Sequence, residues 1–225
     1  MVSDLLQFFR AGGWVMYPLL LHSLVSVTLS VERAAFWLRT HSPGARRRLS
    51  RVMAKVRAGE TTAAIAVAEQ SGSIYMRFAA GLLDHATRTH ADKGATETAA
   101  LELIEDARPI IERFSVVLST IVTAAPLLGI LGTVTGIIQS FRLLGGAETV
   151  TDPAAVAAGI AQALYTTAFG LIVALVTLFP SVIFRSQGDR CLGRLETVGA
   201  TIAEHTPQPQ ADAPGAAEAR ATSAA

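Results

Sequence analysis

The sequence predicts an all-α protein with three membrane spans and long helices extending into the cytoplasm. Three observations carry that prediction. Of the 225 residues, 51% are hydrophobic and 16% charged, with a mean hydropathy of +0.42, whereas soluble domains carry roughly 25% charged residues. Three apolar runs without formal charge approach or exceed the roughly 20 residues a helix needs to cross a bilayer. Finally, 13 of the 19 Lys and Arg lie between residues 32 and 113, the asymmetry expected of a cytoplasmic loop.

Residues 1–13 form an N-terminal segment on the periplasmic side. Arg10 precedes an apolar run, but no small-residue cleavage site follows, so the run reads as retained and not as a signal peptide. The first span is residues 14–31, bracketed by Trp14 and Tyr17 at one end and Phe36 and Trp37 beyond the other, as the interfacial aromatic belts prefer. Residues 32–113 form a cytoplasmic helical region, alanine-rich and without proline from 58 to 92. From about Thr96 the pattern ALELIEDARPIIERF runs into the second span with Pro109 as the single turn signal. A proline inside a helix predicts a kink, so one helix of about 45 residues, roughly 70 Å long, is expected here.

The second span is residues 114–141, bounded by Arg113 and Arg142. A periplasmic link covers 142–158, and the third span is residues 159–184, ending at Arg185. A cytoplasmic extension (185–204) follows, then a proline- and alanine-rich tail (205–225) too poor in bulky apolar residues to fold.

The spans are built from small residues. Ala125 and Gly129, and Gly132 and Gly136, are four apart in the second span, the spacing that lets helices pack closely. In the third, Ala163, Thr167, Gly170, Ala174, Thr177 and Ser181 share one helical face. That stripe has two readings: a helix–helix contact, or the lining of a pore, which three helices enclose only by oligomerising. Gln162 is the most polar side chain of the third span, and its amide needs partners in lipid. His22, in the first span, has no evident relay partner and reads as structural, although titratable groups in membranes are normally functional. Pro126 and Pro180 fall inside spans, where neighbours satisfy the freed carbonyls.

Other chemistry is sparse. The lone Cys191 forms no internal disulfide and lacks a nearby base. The densest titratable group, Asp84, His85 and His90, fits a solvated helix face better than an active site. No metal-ligand cluster, nucleophile set or cofactor motif is present, so neither an enzyme nor a cofactor is predicted. The basic run Arg46–Arg51 follows a span, which favours attraction to membrane lipids over nucleic-acid binding.

Four stretches resemble the MotA/TolQ/ExbB proton channel family, ExbB/TolQ-like branch: GGWVMYPLLLHSLVSVTLSVERAAFWLR at 12–39, AGETTAAIAVAEQSGS at 58–73, AAPLLGILGTVTGIIQSF at 124–141 and GIAQALYTTAFGLIVAL at 159–175. The resemblance implies a homopentamer of three-span subunits around a dimer of a single-span ExbD/TolR-type partner with a transmembrane aspartate. It further implies that proton motive force powers the complex, and that a TonB-like or other envelope protein receives the work. Carried over by position, Thr133 and Thr167 would face and hydrate the partner's carboxylate. Gln162 stands where ExbB and TolQ typically have glutamate. An amide cannot relay protons, so any titrating group would belong to the partner; sodium coupling stays open, as does a non-conducting scaffold of the same fold.

Overall fold

The computed structural model describes residues 12–145 and 153–205. Among these there are seven helices and no strand: α1 (Met16–Thr40), α2 (Pro43–Arg57), α3 (Thr61–Glu69), α4 (Ile74–Thr89), α5 (Lys93–Ile111), α6 (Ser115–Gly145) and α7 (Pro153–His205). The expected all-α architecture with three long apolar helices is therefore observed; α1, α6 and α7 are long and apolar enough to cross a membrane. Most of the N-terminal segment, the middle of the 142–158 link and the tail beyond His205 lie outside the described residues.

The chain divides into two compact units, one formed by residues up to Trp37 with Glu112–Gln187, the other by Leu38–Ile111 with residues from Gly188 onward. The first is the membrane unit. Val15, Met16 and Leu19 pack with Ile121 and Ala125 of α6 and with Val173 and Ala174 of α7. Their outward neighbours, Leu24, Leu127, Leu171, Ile172 and Phe179 among them, are exposed on the isolated chain. In lipid that exposure costs nothing, because the tails are as apolar as the side chains. Pro126 and Pro180 lie within α6 and α7 without ending them.

The helical unit is closed by local signals. Ser42 caps α2, its Oγ accepting from the Ala45 amide at 3.3 Å with Pro43 in the first turn, a favoured arrangement. Gly59, at φ +75°, makes the turn into α3, and α4 ends on His90 at φ 47°. Asp92 Oδ1 accepts the Ala95 amide at 2.7 Å to start α5. In α4 the buried residues Tyr75, Met76, Ala79, Leu82, Leu83 and Ala86 recur every three or four positions. Cys191, Leu195, Val198 and Ile202 of α7 do the same. A Cβ on Gly199 would stand 2.9 Å from Ala100 Cβ and 3.4 Å from the Phe78 ring, so α7 meets both α4 and α5 here.

One expectation is corrected. The single helix predicted from Thr96 through the second span is two helices, α5 and α6, parted at 112–114. Phe114 adopts φ +67°, a left-handed conformation that costs a non-glycine residue roughly 1–2 kcal/mol. The Arg113 guanidinium lies 4.5 Å from the Phe114 ring centroid, a cation–π contact that offsets part of this cost. Pro109 sits in the last turn of α5, where it weakens the hydrogen-bond ladder just before the break. The third span does continue as one helix, through Arg194 and on to His205.

Candidate functional site

The site is assembled where α6 and α7 touch. A Cβ on Gly170 would stand 2.6 Å from the Ala125 carbonyl oxygen, one on Gly136 2.9 Å from Ala163 Cβ, and one on Gly129 3.0 Å from Thr167 Cα. At Gly132 it would run into the Thr166 side chain. The small residues Ala125, Gly129, Gly132 and Gly136 are all buried at this contact, and glycine is what permits such close backbone approach.

Close approach puts hydroxyls within reach of backbone. Thr167 Oγ1 donates across the contact to the Gly129 carbonyl at 2.9 Å, while Thr133 Oγ1 donates to the Ile130 carbonyl of its own helix at 2.6 Å. The two hydroxyls thus engage consecutive carbonyls of one turn of α6, and both threonines are only half-buried. Each oxygen, having given its proton to a carbonyl, keeps lone pairs for a cation or water; by turning, the same hydroxyl donates to a carboxylate.

The structure distributes the remaining predicted residues unevenly. Ala163, Gly170, Ala174 and Thr177 are buried inside the subunit, the arrangement that the helix-contact reading of the stripe expects. Thr177 Oγ1 donates to the Val173 carbonyl and meets Ser26 Oγ of α1 at 2.6 Å. Thr167 and Ser181 alone of that stripe keep partial exposure. The Gln162 amide lies against Gly13, whose φ of +70° suits a residue without Cβ. His22 bonds locally: its Nδ1–H donates to the Pro18 carbonyl at 2.7 Å.

Sequence reasoning missed three residues here. Thr166 is 1% exposed and donates to the Ala163 carbonyl at 2.7 Å. Ser140 is buried and donates to the carbonyls of Gly136 and, at 3.4 Å, Val156. Arg33 of α1 is 2% exposed, its guanidinium 4.3 Å from the Phe36 ring. The available signal for the first was a second run at helical spacing (163, 166, 170, 173 and 177) beside the predicted stripe; the other two had none. Away from the membrane unit, Asp84 is exposed and paired with Arg88 at 2.9 Å, as a solvated helix face would be. No group of three His, Cys, Asp or Glu converges among the described residues.

Comparison with known proteins identifies what this chain is similar to. The MotA/TolQ/ExbB proton channel family profile matches residues 70–197, taking in α4, α5, α6 and the proposed third span. The chain is 36% identical over 180 residues to an ExbB-like protein (ExbB-like 3) of Synechocystis sp., covering 78% of this chain and 82% of that one. It is 39% identical over 80 residues to the Tol-Pal system protein TolQ of Pseudomonas aeruginosa (36% and 34% covered). With the biopolymer transport protein ExbB of Salmonella typhimurium the figures are 41% over 86 residues, covering 38% and 34%.

Proposed function

The chain belongs to the MotA/TolQ/ExbB proton channel family, and from that membership we propose that it is the pore-forming subunit of an ion-driven motor in the bacterial inner membrane, energising a single-span ExbD/TolR-type partner. In this reading five copies surround two partner chains, the N-terminus is periplasmic, and residues 32–113 and the C-terminus are cytoplasmic. The single observation that carries the pore role is the pair of half-buried hydroxyls, Thr133 and Thr167, held against consecutive α6 carbonyls.

The energetics suit that placement. One elementary charge moving through the membrane potential releases about 2.3 kcal/mol per 100 mV, less than a bare carboxylate costs in hydrocarbon. Hydroxyls that solvate the partner's carboxylate lower that cost, and protonation then lets the neutral partner helix move past apolar neighbours. Gln162 contributes hydrogen bonding but no proton, so the titrating group belongs to the partner. Ser181 extends the polar path beyond Thr167, while Ala163, Gly170, Ala174 and Thr177 hold the helices together behind it.

The test is the native mass of the complex in mild detergent, alone and with the co-expressed single-span partner. A pentamer holding two partner chains is the expected result. A monomer or dimer that ignores the partner removes the pore and leaves the threonines as packing residues. A pentamer that binds the partner but needs no ion gradient would be the scaffold alternative.

A further inference from the structure

The helical unit carries a groove of about 430 Å³ between α2 and the distal part of α7. Arg46 and Arg57 of α2 and Arg194 of α7 form its rim, and Leu49, Met53 and Val198 its floor. The sequence explains this polarity. In PGARRRLSRVMAKVR all six ionisable residues are basic, and Arg46, Met53 and Arg57, spaced seven and four apart, fall on one helical face. Among the described residues no carboxylate pairs with Arg46, Arg57 or Arg194; the nearby Glu60 is taken by Lys55 at 2.8 Å. Arg194 also lies within electrostatic reach of His41 and Tyr75.

A phosphate alone would need the cations and not the apolar floor. A phospholipid needs both. The absence of acidic residues from the lining also favours a headgroup with net negative charge over one that carries an ammonium. In the chain, α2 starts three residues after α1 ends, and Arg194 follows the charge-free run ending at Phe184 by ten residues, so both rims belong to segments that leave a span. We infer that this groove binds the phosphate headgroup of an anionic phospholipid, with Arg46, Arg57 and Arg194 on the phosphate and Leu49, Met53 and Val198 against the glycerol and first acyl carbons. Two of these cations also act on His41, whose imidazole is held below its ordinary value first by burial and then by Arg194, Arg46 and, outside the groove, Arg190.

The experiment is a native mass spectrometry titration of the full chain with phosphatidylglycerol or phosphatidylcholine. At roughly fivefold per cation near an anionic surface, the combined change Arg46→Gln, Arg57→Gln and Arg194→Gln weakens the first phosphatidylglycerol bound by more than tenfold. Arg57→Gln alone weakens it about fivefold. Removing the same charge outside the groove (Arg47→Gln, Arg48→Gln and Arg51→Gln) shifts it less than threefold. Equal losses in the two triple variants would reduce the site to diffuse attraction and overturn the inference. So would equal binding of phosphatidylcholine, or complete displacement of the lipid by an equal concentration of glycerol phosphate, which would mark a soluble phosphate ligand.

Discussion

Replacing Gly170 by alanine is the sharpest probe of the α6–α7 contact. The new methyl would stand 2.6 Å from the Ala125 carbonyl oxygen and 3.2 Å from Gly129 Cα. Both obstacles are backbone, so no side chain can swing aside. Carbon–oxygen contacts settle at about 3.3–3.6 Å, so the helices must part locally by about 0.7–1 Å. A gap of that size forfeits about a quarter to a half of each dispersion contact it opens. It also stretches the 2.9 Å bond from Thr167 to Gly129 past useful length, a loss of about 0.6 kcal/mol in a membrane. Adding the usual overpacking cost of about 1–3 kcal/mol and returning the roughly 0.5–1 kcal/mol of helix propensity that any such Gly→Ala change gains, Gly170→Ala loses about 0.6–3 kcal/mol net. Reversible unfolding of the purified protein in mixed detergent and SDS measures this. Gly193→Ala is the control on the same helix: its Cβ meets nothing within 4 Å, and it gains about 0.5–1 kcal/mol from helix propensity. If Gly170→Ala unfolds at the wild-type SDS fraction or above it, the close-contact reasoning is wrong.

Thr167→Val keeps shape, removes the hydroxyl and should abolish gradient-dependent work while the native mass stays that of wild type; Thr167→Ser should restore most activity, and wild-type work from the valine variant would end the pathway role. For His41, burial and three arginines favour the neutral ring in the folded state. The unfolded chain therefore binds more protons below pH about 6.5, and stability falls as pH drops through that value; denaturant melts of His41→Gln should show a flatter slope there. Tyr75, 3% exposed, has its phenol pushed well up, first by burial and then by the neighbouring Cys191 thiol. An alkaline absorbance titration should find it un-ionised until the helical unit opens, and Tyr75→Phe should remove that late component. Leu82→Ala, at a fully buried position, should cost about 2–5 kcal/mol in a thermal melt.

How the site reads from sequence turns on periodicity. Residues 163, 167, 170, 174, 177 and 181 and residues 163, 166, 170, 173 and 177 are both spaced by threes and fours, so each set qualifies as one face of a helix. The second set is buried throughout, whereas Thr167 and Ser181 of the first keep partial exposure. The sequence contains both stripes, and only the bulk opposite them, with Thr166 over Gly132 and Ala125 behind Gly170, selects between them. Thr133 and Thr167 were identifiable through the family's motifs, but their engagement of consecutive carbonyls was not.

What the sequence by itself determined is what depends on composition and local order: the three apolar helices, the basic segment between the first two, the small-residue spacing and the family. These follow from transfer free energies and helical register, which act on neighbours along the chain. Tertiary structure alone decided that α5 and α6 part at Phe114, that Arg33 is buried against Phe36, and that three arginines from α2 and α7 share one groove. Each depends on contacts between segments far apart in the chain or on a backbone conformation that its residue type does not favour. A periodic pattern says which residues share a face, and only packing says what that face meets.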